Sequence, residues 1–484
     1  MINTNNKIRI SNTGVTIHPY RKYKCKELEK WTSIRLPNRA TKEVTGFFLK
    51  DIDTFVTHPM SLSKLQSWFP NHIIEKVDSN PSEYIGRQLR DINFDLRPDQ
   101  AEIIDDCISL SNQNRVFLCL PTGFGKTILA IYLTIKVHQT KTLVICPSKL
   151  ILDQWQIKYT NMGNIPEENI MHLHLSTQID DIMSGKVDIS ETCIFVCTQA
   201  LLKSYAKTRG WEALNELAKL LGIGTVFVDE AHNEVGGTIR ILGFMRVRKV
   251  YYLSADFNQA QKAMKYKFAK VFDGVPIVRP SQEQMDELRH LTCNLITFNS
   301  KPTQMELNTL YDKFGFRTMN YSSYQLDKGI LFDLMVRIMK LIFTTLKPGR
   351  KIVIMTTTIN AVDEYTKLLR DIFYDKKIKR FHSNLEEDER QEIHEEDVDV
   401  IVSTYMSLGV GIDIKGIQHV MSLDLVNEVW DNQAAGRARP IPGEKCFYYL
   451  FADYGFTKTR DTLNVRLNYM RRANVAEIRQ FDYM

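Results

Sequence analysis

Arg115-Val-Phe-Leu-Cys-Leu-Pro-Thr-Gly-Phe-Gly-Lys-Thr-Ile-Leu-Ala-Ile-Tyr-Leu133 carries a strand, a loop and a helix in one short span. The apolar run from Arg115 to Leu120 reads as a buried strand, and Thr127 to Leu133 reads as the helix after it. Between them, Leu120, Pro121, Thr122, Gly123, Phe124, Gly125, Lys126 and Thr127 hold the parts of a phosphate cradle. Glycines let backbone N–H groups curl around a phosphate, and the helix start adds positive dipole. A lysine reaches the terminal phosphates, and a hydroxyl holds Mg2+. Gly123, Gly125, Lys126 and Thr127 supply these parts in order, and Leu120 stands where the general G-x-x-x-x-G-K-[ST] pattern has its first glycine. The strand–loop–helix setting favours the cradle over a chance glycine-rich turn.

A site that hydrolyses nucleotide also needs carboxylates, one for Mg2+ and one for the attacking water. Thr225-Val-Phe-Val-Asp-Glu-Ala-His232 offers them, because a buried apolar strand runs straight into Asp229, Glu230, Ala231 and His232. Parallel strands deliver their C-terminal ends to the ligand crevice, so the pair is expected to project toward the phosphates. Asp229 is then expected on Mg2+ with Thr127, and Glu230 on the nucleophilic water.

The whole chain has 484 residues, 44% hydrophobic and 25% charged, an ordinary globular composition that excludes disorder and collagen-like repeats. Its longest apolar runs fall short of the roughly 20 residues a membrane helix needs, so no membrane partner is expected. The first ten residues lack the apolar stretch of a secretory signal, which points to the cytoplasm. Eight cysteines show no metal-binding spacing, and the nearest pair, Cys193 and Cys197, sits in an apolar run that reads as a strand. Charge is uneven along the chain. Residues 1–50 hold eleven Lys or Arg against three Glu, and residues 456–484 hold six against three acids, so the long middle is net acidic. Basic ends on an acidic body suit a polyanion held partly by the flanks.

Several further segments, in order, resemble the motifs of superfamily 2 helicases and translocases of the DEAH-box lettering, over roughly residues 94–450. Leu96-Arg-Pro-Asp-Gln100 resembles the upstream element whose glutamine reads the adenine edge, which implies Arg97 and Gln100 at the base. Val144-Ile-Cys-Pro-Ser-Lys-Leu-Ile-Leu-Asp-Gln-Trp155 resembles the motif whose loop touches the nucleic-acid backbone, implying contacts from Pro147, Ser148 and Lys149. Phe195-Val-Cys-Thr-Gln-Ala200 resembles a further element on that track, implying Thr198 and Gln199. Leu253-Ser-Ala-Asp256 stands where the family has Ser-Ala-Thr, with Asp256 in place of the threonine.

The same order continues beyond residue 350. Lys351-Ile-Val-Ile-Met-Thr-Thr-Thr358 resembles the fourth motif and implies Thr356 and Thr357 on nucleic acid. Phe381-His-Ser-Asn384 with Glu389-Arg390 resembles the next strand and helix start. Val400-Ile-Val-Ser-Thr-Tyr405 with Gly409-Val-Gly-Ile-Asp413 resembles the fifth motif, implying Thr404 on nucleic acid and Gly411 and Asp413 on the nucleotide. Gln433-Ala-Ala-Gly-Arg-Ala-Arg439 resembles the sixth, whose arginines meet the γ-phosphate charge, so Gln433 and Arg437 are expected in catalysis. The family's second arginine falls at Pro440, which leaves Arg439 as a substitute one residue early.

The resemblance implies an α/β fold of two tandem RecA-like parallel-sheet lobes with a small N-terminal α+β accessory domain. The expected ranges are 1–90 for a DNA-binding accessory domain, 91–275 and 285–455 for the lobes, and 456–484 for a basic helical tail. Pro and Gly residues around 272–287 mark the expected hinge. In the tail, apolar residues at helical spacing run from Val465 to Arg479 with Arg466, Arg471 and Arg472 among them. The implied function is an ATP- and Mg2+-dependent DNA helicase similar to phage branch-migration helicases, acting on forked or four-way DNA in recombination, repair or replication. Host cytoplasm is the location if the chain is phage-encoded. The sequence leaves open an RNA helicase or transcript-release ATPase, and an ATP-gated nucleic-acid-binding module with weak hydrolysis. It leaves the oligomeric state open as well.

Overall fold

A computed structural model of the chain describes residues 7–20, 25–35, 42–121, 123–232, 234–254, 271–287, 289–312, 315–382, 384–385, 389, 393, 398–409, 414–426, 428–441, 443–473 and 475–483. The chain divides into two compact units, residues 1–280 and 281–484.

The first unit opens with short strands rich in β-branched and aromatic residues. They are β1 (Lys7–Ile10), β2 (Val15–His18), β3 (Ser33–Arg35), β4 (Lys42–Val44), β5 (Gly46–Leu49), β6 (Thr54–Thr57) and β7 (Ile73–Lys76). Five of them form a sheet in the order β5-β6-β2-β1-β7, and β3 and β4 pair separately. The helices Lys26–Trp31 and Leu62–Trp68 bury Leu28 and Leu65 with Ile8, Val15, Ile17 and Phe55, giving this leader its own small core.

The leader also packs against the rest of the first unit. Leu49 and Val56 belong to the larger core that continues through residue 275. At this contact a Cβ on Gly14 would lie 2.5 Å from the Gly243 Cα, so only glycine allows the two backbones to approach. Gly243 lies on the helix Val235–Phe244, which starts just after His232.

Seven parallel strands then form the first lobe: β8 (Arg115–Cys119), β9 (Thr142–Cys146), β10 (Ile170–Leu173), β11 (Ile194–Thr198), β12 (Thr225–Val228), β13 (Lys249–Ser254) and β14 (Ile277–Val278). Their order is β10-β11-β9-β12-β13-β8-β14, so β12, β13 and β8 lie side by side. Continuous apolar runs such as Thr142–Cys146 suit strands covered on both faces by helices. The sheet takes in Ile277–Val278, beyond the edge expected at 275.

The second unit repeats the plan with β15 (Leu291–Phe298), β16 (Tyr311–Asp312), β17 (Gly315–Phe316), β18 (Lys351–Thr356), β19 (Ile378–Phe381), β20 (Val400–Thr404), β21 (Ile417–Ser422), β22 (Cys446–Asp453) and β23 (Val475–Tyr483). Seven of these form a sheet in the order β19-β20-β18-β21-β22-β15-β23, with every neighbouring pair parallel. The fold is therefore the expected one of two parallel-sheet α/β lobes with a small N-terminal sheet.

The tail departs from expectation. Its helix ends at Ala473, and the strand β23 then runs along β15 from Val475, because main-chain pairing at an open sheet edge overrides the helical spacing read through Arg479. Arg466 is 1% exposed and pairs with the fully buried Asp431, so it braces the lobe interior and does not face nucleic acid. Among the described residues no helix is long and apolar enough to cross a membrane.

Candidate functional site

Three adjacent strand ends assemble the site in the first lobe. β8 leads to the glycine loop and the helix Lys126–Tyr132, β12 leads to Asp229 and Glu230, and β13 between them ends at Ser254. Leu120 and Phe124 are fully buried, Pro121 is buried, and the Leu120 N–H donates to the Ser254 carbonyl at 2.9 Å. Gly123 and Gly125 have φ of 87° and 104°, values that favour glycine. A Cβ on Gly123 would meet nothing within 4 Å, whereas one on Gly125 would strike the Gln100 Nε2 at 2.5 Å. The loop is thus open above Gly123 and closed against Gln100. Thr127 is half-buried in the first helical turn; Thr122 lies outside the described residues.

Gln100 and Arg97 hold the loop from below. Gln100 is buried; its Nε2 donates to the Phe124 carbonyl at 2.8 Å and its Oε1 accepts the Arg97 N–H at 3.1 Å. Arg97 donates to the same carbonyl at 3.1 Å, and its guanidinium lies 5.6 Å from the Phe124 ring centroid. The pair expected at the adenine edge therefore also braces the phosphate loop.

Lys126 and Glu230, 104 residues apart, meet with Nζ 3.1 Å from Oε1. Glu230 has φ of 45°, a left-handed conformation uncommon outside glycine, and is fixed by the Ala231 N–H donating to the Leu253 carbonyl at 2.8 Å. His232 is buried, with Nδ1 3.0 Å from the Ser254 Oγ and 3.3 Å from the other Glu230 oxygen. Asp229 accepts the Trp155 indole N–H on Oδ2 at 3.0 Å and the Glu230 N–H on Oδ1 at 2.9 Å. Burial, then the neighbouring Glu230 carboxylate, pushes Asp229 up to about 6 against the opposite pull of Lys126. Trp155, on the helix Lys149–Asn161, is a site residue that motif reading assigned only to the nucleic-acid track. Nothing in its spacing signals a partner 74 residues away.

Residues expected on nucleic acid divide into two groups. Pro147 and Ser148 are half-buried and Lys149 is exposed at the start of the Lys149–Asn161 helix. The others, apart from the half-buried Thr357, have side chains buried and hydrogen-bonded within their lobes. Thr198 is buried and caps the helix Gln199–Arg209 by accepting the Leu201 N–H, and Gln199 is buried and donates to the Thr238 Oγ1 at 2.6 Å. Thr356 is fully buried and donates to Asp424 at 2.9 Å. The Thr357 N–H donates to the same oxygen at 2.6 Å. Thr404 is buried and bonds the Ser407 side chain at 2.8 Å.

In the second unit Gln433 is buried on the helix Glu428–Ala435, its Oε1 without a hydrogen-bond partner. Arg437 is half-buried one turn beyond, and Arg439 is exposed. Asp431, two residues before Gln433, accepts from Ser422 at 3.1 Å, Tyr448 at 2.8 Å and Arg466, so this helix is pinned by a buried network. Gly411, Asp413 and Asp256 lie outside the described residues.

Among the described residues no three His, Cys, Asp or Glu gather to hold a metal. The half-buried Asp229 carboxylate and the Thr127 hydroxyl are the kind of oxygen ligands that fit Mg2+, which takes one or two protein oxygens and fills its shell with phosphate and water. Seven of the eight cysteines are buried.

Two family models match the chain: "Type III restriction enzyme, res subunit" over residues 93–266 and "Helicase conserved C-terminal domain" over residues 333–440. Together they span more than half of it. Among solved structures, S. cerevisiae Dbp5 bound to RNA and ADP BeF3 is similar in fold, with a TM-score of 0.52 at 15% sequence identity. That likeness covers 80% of this chain and 94% of the other. No curated protein matches the sequence.

Proposed function

Because the chain belongs to the superfamily 2 helicase family, whose domains imply ATP-dependent helicase activity on nucleic acid, we propose that it is an ATP-driven motor that remodels branched DNA. The observation that carries the ATPase part is the meeting of Lys126, Asp229 and Glu230 from the ends of β8 and β12, on either side of β13, beside a glycine loop left open above Gly123. In this reading Lys126 leaves Glu230 for the terminal phosphates, and Thr127 and Asp229 would hold Mg2+, which would offset charge on those phosphates. Glu230, released from the lysine, takes the proton of the attacking water. Gln433, Arg437 and Arg439 are proposed to answer the charge developing on the γ-phosphate. Gly411 and Asp413 belong to the same proposal.

Support for DNA comes from the Asp153-Gln154-Trp155 lettering and from the restriction-enzyme name of the model matched by the first lobe. Forked and four-way substrates, and hence recombination, repair or replication, rest on the resemblance to phage branch-migration helicases. The test is a panel of forked DNA, four-way junction, tailed duplex and RNA hybrid, scored for ATP-dependent product at two salt concentrations. Branched DNA is expected to give the largest response. A strongest response to RNA overturns the DNA reading, and negligible turnover on every substrate overturns the motor in favour of an ATP-gated binder. Glu230→Gln is expected to keep nucleotide binding while turnover falls about a hundredfold or more, the scale of a lost general base. Near-normal turnover would remove Glu230 from that role.

A further inference from the structure

We propose that Trp155 is a positioning residue for the metal site, its indole N–H fixing the Asp229 carboxylate in the orientation that receives nucleotide-bound Mg2+. This rests on the reading of Asp229 as a metal ligand given above. The two oxygens of Asp229 are held by different donors, Oδ1 by the Glu230 backbone N–H at 2.9 Å and Oδ2 by the Trp155 Nε1 at 3.0 Å. A carboxylate held at both oxygens cannot turn about its last bond without losing one of them. One donor is backbone and the other is a rigid ring, so the plane of the carboxylate is set before any ligand arrives.

Three features make the indole suited to this. It is only a donor, so it needs an acceptor and favours the ionised carboxylate, both of whose oxygens accept, over the protonated acid. Trp155 is 2% exposed, so water does not readily replace it if the bond is lost. Its helix is also tied to the phosphate loop. Tyr159, one turn along, packs on the Trp155 ring at 6.0 Å, and its hydroxyl lies 3.0 Å from the Thr134 Oγ1. Thr134 stands in the π-helical turn Leu133–His138 that continues directly from the helix Lys126–Tyr132. One helix therefore links the carboxylate to the element that carries Lys126 and Thr127.

The test uses the full chain and equilibrium binding of a fluorescent ATP analogue, in Mg2+ and in EDTA. Trp155→Phe is expected to leave affinity in EDTA unchanged and to cut the gain given by Mg2+ about tenfold, the scale of one hydrogen bond to a charged acceptor. Trp155→His, smaller but still carrying a ring N–H, recovers part of that gain. A full Mg2+ gain in Trp155→Phe overturns the proposal, and so does an equal loss in Phe and His, which would make the effect one of packing. A wild-type chain whose affinity ignores Mg2+ overturns the metal role of Asp229 itself and the inference with it. A second measurement needs no change at position 155. Among the five tryptophan indole 15N–H signals, the Trp155 signal, assigned by Trp→Phe at the other four, is expected to shift when Mg2+ joins bound nucleotide. A signal that stays put overturns the proposal.

Discussion

At the scale of single residues, the unusual group is Asp229, a half-buried carboxylate next to a second one. Burial and Glu230 raise its pKa to about 6, which gives the site a pH signature. A raised carboxylate is protonated in the folded chain at pH values where an ordinary aspartate is ionised. Its contribution to stability is therefore present below the ordinary aspartate range and lost as pH rises through about 6. Metal binding runs the other way, because a ligand must be ionised to coordinate. Mg2+-dependent nucleotide affinity is thus expected to be flat from pH 7 to 8 and to fall below about pH 6, approaching tenfold per pH unit. A fall that begins only near pH 4 would contradict the raised value. Lys126, Asp229 and Glu230 were legible because each sits in a short motif whose chemistry is local to the chain. The work of Trp155 and Arg466 was not, since it depends on partners 74 and 35 residues away and on burial that no local pattern states.

At the scale of elements, the helix Val235–Phe244 is where the N-terminal sheet meets the first lobe. Gly236 faces the Phe47 ring, Gly243 faces Val56, and Arg240 lies 4.6 Å from the Phe47 ring centroid. Gln199 bonds Thr238 on the same helix, whose N-terminus comes just after the Asp229–His232 segment. The leader is consequently part of the support beneath the site. Gly14→Ala tests this, since its Cβ would strike backbone at Gly243 that cannot rotate away as a side chain can. Overpacking of this kind costs about 1–3 kcal/mol, to be read from urea unfolding of the full chain. Wild-type stability would mean that the contact is not tight. The short strands and helices of the leader match the small α+β domain expected from sequence. The docking does not, because small residues that admit a neighbouring backbone look the same in sequence as small residues in a loop. The tail misled for a related reason: β23 is made by pairing with β15, which is 184 residues away in sequence at Leu291–Val475.

At the scale of the whole molecule, charge is the property that averaging hides. Net charge is only +6, yet the first fifty residues hold eleven basic side chains while the middle is acidic. The described part of the leader shows where some of that charge goes: Lys7 and Arg9 pair with Glu75, and Arg9 also pairs with Glu212. Charges spent on such exposed pairs are weakly held and contribute little to stability. They also leave fewer cations for a polyanion, which shifts the expectation to the cluster from Arg21 to Lys30. Lys26 lies at the start of the helix Lys26–Trp31, while Lys22 and Lys24 fall outside the described residues. Each lysine that neutralises a phosphate releases counterions and adds roughly 0.7–0.9 to the slope of log affinity against log salt. Replacing Lys22, Lys24 and Lys26 together with Gln is therefore expected to weaken DNA binding and flatten that slope by up to about 2–3. Basal ATP turnover should stay near wild type, because none of the three belongs to the first-lobe site. Binding titrations at four salt concentrations decide between the outcomes. An unchanged slope would make the leader's role purely one of packing against the Val235–Phe244 helix, and would leave nucleic-acid contact to the turn at the half-buried Ser148 and exposed Lys149.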